Sequence, residues 1–114
     1  MFKNIFKNIK IGIKNLIKWF RIIWADRWWD FGFLYEIINF KLKDMEYNFN
    51  KFGLSESSNK KSIKMRICID LIDKLIEDDY FEKYEDVEQA LEERKKDTEK
   101  LFSLLANNID SWWD

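Results

Sequence analysis

The 114-residue chain has no histidine, no proline, a single cysteine and only three glycines. Each shortage removes a class of chemistry or fold. Without histidine there is no Ser-His or Cys-His nucleophile pair and no His-containing zinc site. One cysteine leaves no internal disulfide framework, and a lone Cys68 suits a reducing compartment. The absence of proline, with so few glycines, argues against a turn-rich β sandwich and for long uninterrupted helices. There is no glycine-rich phosphate loop. No apolar run approaches the ~20 residues needed to span a bilayer. The lysines near the N-terminus recur too closely to leave the apolar stretch of a secretory signal. A cytoplasmic protein is the expectation.

The chain that remains is rich in core-forming residues. Apolar residues make up 46% of it and aromatics 18%, including six Trp, which excludes a disordered chain. The length fits one domain with a real core. Charge is balanced in total, at −1, but divided along the chain. Residues 1–24 hold six bases and no acid; residues 70–114 hold six bases and fifteen acids. Such a division suits either two charged surfaces for partners or a basic segment that docks on an acidic one.

Periodicity predicts four helices. In the first, over 2–24, Lys3, Lys7, Lys10, Lys14, Lys18 and Arg21 step by three or four and form one stripe. Phe2, Ile5, Phe6, Ile9, Ile13, Leu16, Ile17, Phe20 and Trp24 take the opposite side. The second, over 30–52, starts at Asp30 as N-cap and carries Phe31, Leu34, Ile38, Leu42, Met45, Phe49 and Phe52 on one stripe. Gly53 fits a left-handed C′ position, and the break continues to Asn59. The third, over 58–79, has a main stripe of Met65, Cys68, Ile69, Ile72, Leu75 and Ile76, widened by Ile63, Ile67 and Leu71, and is expected to be the most buried. Its acidic last turn has the wrong sign for the helix macrodipole. The fourth, over 84–109, places Val87, Leu91, Arg94, Thr98, Leu101, Leu105, Ile109 and Trp112 on one face, with a solvated middle. The expected fold is all-α: a small bundle of three to four helices spanning 25–114, with the basic amphipathic helix of 1–24 completing the bundle or projecting from it.

Several surfaces carry recognisable chemistry. The basic helix suits an anionic membrane surface, nucleic-acid phosphates or the groove of a protein partner; equally, it is what a bundle helix with its lysines in water looks like. Around Arg27, the neighbours Asp26, Trp28, Trp29 and Asp30 could pair and stack with its guanidinium, giving either a locked corner or an aromatic recognition patch. The triplet Trp28-Trp29-Asp30 recurs as Trp112-Trp113-Asp114, whose indoles either close over the core or mark a contact surface. Asp70, Asp73 and Glu77 share a helix face where a hard cation could bind, though a solvated acidic face explains the pattern as well. Thirteen acids against five bases between residues 70 and 99 could imitate nucleic-acid phosphates or simply make a soluble surface. Cys68, on an apolar stripe with no base beside it, reads as an inert buried thiol.

Trp24, Asp26-Arg27, Trp29-Asp30, Leu34, Lys41-Leu42 and Met45 follow a basic helix, and Leu71, Leu75 and Asp78-Asp79-Tyr80 come later. In these stretches, about a third of the chain, the sequence resembles small phage-encoded helical proteins that carry no established activity. The resemblance implies a phage or prophage origin and transfers no site residues. Lys, Ile and Asn together supply 40 of 114 residues, and their A/T-rich codons suit a low-GC bacterium or its phage.

These readings converge on a non-enzymatic interaction protein without cofactor, metal or small-molecule substrate. Its expected partner is a host or defence-system protein, inhibited for example in the manner of an anti-CRISPR, or a further copy of itself. The candidate contacts are Arg27, Trp28, Trp29, Trp112 and Trp113. The alternative is action on nucleic acid or a membrane surface through the basic face of residues 1–24.

Overall fold

The computed structural model describes residues 2–53 and 58–112, with the side chain of Phe2 outside that set. Among the described residues all regular structure is helical. The elements are α1 (Phe2–Ala25), α2 (Gly32–Phe52), α3 (Ser58–Glu77), the single turn α4 (Tyr80–Lys83), α5 (Val87–Asn108) and a terminal 3-10 turn (Ile109–Ser111). The chain divides into two compact units, residues 1–33 and 34–114.

The core of the second unit is built on α3. Met65, Cys68, Ile69, Leu71, Ile72 and Leu75 are all buried, as a 3.6-residue apolar period dictates. Leu42 and Phe49 enter from α2, Tyr80 from α4, Ala90 and Leu101 from α5, and Trp112 closes the cluster. Ile63 and Ile76, assigned to the stripe by spacing, lie exposed at its edges. The apolar stripe expected over 30–52 is longer than the core it meets: Phe31, Leu34 and Phe52 are exposed, while Phe33 and Asn39 are buried.

Local chemistry sets the helix ends. Asp30 Oδ1 accepts the Gly32 amide at 2.9 Å, and Phe33 donates to the Asp30 carbonyl at 3.1 Å, so Asp30 opens α2 as the sequence indicates. Gly53 does not take the expected left-handed conformation; no glycine here has positive φ. Its lack of a side chain serves close approach instead. A Cβ there would run into the Phe49 carbonyl and the Ser58 hydroxyl, and would lie 2.6 Å from Ser58 Cβ. Residues 54–57 of the expected break lie outside the described set, and α3 already begins at Ser58.

Helix α3 ends at Glu77, and the left-handed position belongs to Asp78, with φ of 49°. Asp tolerates that conformation better than most residues. Two of the three acids at this helix end, Asp78 and Asp79, have cationic partners. Arg94 Nε donates to Asp78 Oδ1 at 3.0 Å, and Lys83 lies 3.4 Å from Asp79. Asp86 caps α5 by accepting the Glu88 amide at 3.1 Å.

The phase of α5 differs from the sequence expectation. Its buried positions are Ala90 and Leu101, while Val87, Leu91 and Ile109 are exposed. Between the two buried positions an acid turns toward the core. Asp97 Oδ2 accepts the Tyr80 hydroxyl at 2.6 Å and pairs with Lys74 at 3.1 Å. Burial alone pushes the Asp97 carboxyl up, but the Tyr80 hydrogen bond and Lys74 outweigh it and hold the group below its usual range. The Tyr80 hydroxyl is pushed well above the ordinary phenol range, first by burial and then by the carboxylate it donates to.

Candidate interaction surface

The first unit presents the most distinctive surface. Seven isoleucines and no acids make α1 an indifferent helix former on propensity alone. No acid sits in its first turn and no base in its last to complement the dipole. Its regularity lies in amphipathicity. The bases Lys3, Lys7, Lys10, Lys14, Lys18 and Arg21 are exposed on one side. The opposite side carries Ile5, Phe6, Ile9, Ile13, Leu16, Ile17, Phe20, Ile23 and Trp24, whose exposures run from 46% to 73%. Asn4, Asn8 and Asn15 form a second polar row beside the bases. No described side chain of α1 is buried; Trp19 and Ile22 are half-buried. The apolar side is thus uncovered along the helix.

The corner after α1 is closed by main-chain hydrogen bonds. Arg27 Nη1 donates to the Asp26 carbonyl at 2.6 Å and the Trp24 carbonyl at 3.2 Å. A guanidinium thereby sits at the negative end of the helix, where a cation is favoured. This replaces the expected pairing with neighbouring carboxylates and indoles. Asp30 donates its amide to the Arg27 carbonyl at 3.0 Å, turning the chain. Trp28 and Trp29, held on that turn, meet edge to face with centroids 5.8 Å apart. Trp28 is 90% exposed and Trp29 66%. Phe20 and Trp24 stack at 5.7 Å on the last turns of α1.

The two Trp triplets differ in placement. Trp112 is 7% exposed and belongs to the core, so closing over the core is the role it takes. As a partner contact it is withdrawn. Trp113 lies outside the described residues. The carboxylates of α3 are not gathered as ligands either. Asp70 faces Arg66 at 3.5 Å, whereas Asp73 accepts from Asn39 Nδ2 at 2.8 Å and lies 3.7 Å from Lys43. Among the described residues no group of three carboxylate or thiol side chains has a metal-binding arrangement. The acidic run is laced with cations, including Lys74–Asp97, Arg94–Asp78 and Lys96–Glu93. Cys68 is fully enclosed; burial pushes its thiol up, and Lys64 offsets this in part.

One further feature lies on the second unit. A shallow groove over Trp112 is lined by Lys60, Lys61, Lys64, Asn108 and Ser111. Its signal was the lysine cluster in the first turns of α3.

No described helix is long and apolar enough to cross a membrane. Comparison of the chain with family models, curated proteins and solved structures yields no match.

Proposed function

We propose that this is a non-enzymatic binding protein that docks α1, apolar side inward, on the surface of a partner. The observation that carries this reading is the uncovered apolar side of α1. Contiguous exposed apolar surface of this extent, rimmed by charge, marks interaction sites rather than solvated helices. Asp70 is engaged by Arg66, and Asp73 by Asn39 and Lys43. The resemblance to small phage proteins supplies a setting: a phage protein acting in an infected cell, on a host or defence-system component or through copies of itself.

A second contact is favoured by the exposed Trp28–Trp29 pair, because tryptophans are typical anchors of protein interfaces. It would add a protein partner to whatever α1 engages.

Site-specific photocrosslinking in the host cell tests the reading. A photoreactive residue in place of Leu16, on the apolar side, is expected to form an adduct with protein, nucleic acid or lipid. The same residue in place of Lys95, exposed on α5, is expected to form none. Equal adducts at both positions, or none at either, overturn the proposal.

A further inference from the structure

We infer that the partner of α1 is the surface of an anionic phospholipid bilayer, in which the helix lies parallel to the membrane plane. This deepens the docking reading above and rests on it.

Complementarity to a bilayer surface extends along the whole helix. At 1.5 Å per residue, the 24 residues of α1 extend about 36 Å. A protein groove takes a helix by a few anchors at i, i+3, i+4 and i+7. Here the apolar side instead continues from Ile5 to Trp24 without a polar interruption. Nucleic-acid phosphates would satisfy the six bases but leave nine exposed apolar side chains in water. A bilayer surface answers both. The acyl boundary receives Ile, Leu and Phe, while lysine stems run along the headgroups with their ammonium groups in water.

The charge is equally one-sided. Six bases without an acid face an anionic surface with no compensating repulsion. The bulk of the negative charge lies in residues 70–114, and α1 carries none of it. At the end of α1, Trp24 presents an exposed indole, a group that favours the headgroup level. Spanning is excluded for α1, since its bases recur throughout and no described helix is long and apolar enough to cross.

The test uses the full chain with vesicles of equal phosphatidylglycerol and phosphatidylcholine, vesicles of phosphatidylcholine alone, and duplex DNA. Co-sedimentation and tryptophan emission are read together. The chain is expected to bind the anionic vesicles with a blue shift, and the neutral ones at least tenfold more weakly. In the double variant Ile13→Gln with Leu16→Gln, binding is expected to fall about a hundredfold. Gln is a better helix former than Ile, so circular dichroism and the thermal midpoint should hold. Lys7→Gln with Lys14→Gln is expected to lower binding to anionic vesicles about thirtyfold, with little change on neutral ones. Absence of vesicle binding, or unchanged binding in the Ile13/Leu16 variant, overturns the inference. So does tighter binding to duplex DNA that collapses with salt, which would make the partner a nucleic acid. A protein adduct at position 16 without vesicle binding rejects the lipid and keeps the docking reading. Silence in both experiments rejects both.

Discussion

Tyr80 and Asp97 form the most consequential pair of side chains in the second unit. A phenol and a carboxylate, neither apolar in its sequence pattern, meet at 2.6 Å beside a core of Met, Ile and Leu. Their shifted ionisations have opposite directions and therefore act at opposite ends of the pH range. The raised Tyr80 group keeps its proton in the folded chain. Once the unfolded tyrosine begins to ionise, near pH 10, the folded state loses ground as pH rises further. The lowered Asp97 group contributes fully above its unfolded value, about 3.9, and its contribution is lost as pH falls through the folded value. Replacing Tyr80 by Phe is expected to cost about 2 kcal/mol near neutral pH, the worth of a hydrogen bond to a charged group. It should also flatten the decline of the thermal midpoint at both extremes. A Tyr80→Phe profile parallel to that of the parent chain would contradict this account. Nothing in the sequence announced the pair, because an inward carboxylate is indistinguishable from a solvated one until its partner is known.

Helix α5 shows what periodicity reads and where it fails. The stripe of α3 is dense enough to fix its own phase, and Met65, Cys68, Ile69, Ile72 and Leu75 are buried as their spacing indicates. On α5 the charged stretch from Glu92 to Lys100 leaves too few apolar residues to define a face. Leu91 and Leu101 were placed together by spacing, yet Leu91 is 53% exposed and Leu101 is fully enclosed. Leu101→Ala is therefore expected to destabilise the chain by about 2–5 kcal/mol, and Leu91→Ala by less than about 0.5 kcal/mol. Urea denaturation of the two variants decides the matter; comparable losses would restore the sequence-based face. The turn α4 leaves no mark in the sequence pattern because a four-residue helix has no period to detect. For α1 the division between basic and apolar sides was legible in full. Whether anything covered the apolar side was not, since the same pattern serves a packed helix and an exposed one.

The overall charge of −1 conceals the principal property of the chain. Cations without acids occupy one compact unit's helix, while the other unit holds the acid-rich residues 70–114. All-α architecture followed from the absence of proline and from four amphipathic segments. The boundary between units did not, because it falls inside the first turn of α2, where the sequence has no break in composition.

Cys68 gives the second unit an internal clock. It is the only thiol in the chain and none of its surface reaches solvent. A thiol reagent must wait until α3 parts from its neighbours, so the rate of labelling measures how often the unit opens. With a stability of about 5 kcal/mol, labelling is expected to run on the order of several thousandfold slower than for an accessible cysteine. Labelling at the rate of a free thiol would mean that the core opens locally around α3. The same reaction, followed while α1 is occupied, turns one buried sulfur into a gauge of whether events on the first unit are felt in the second.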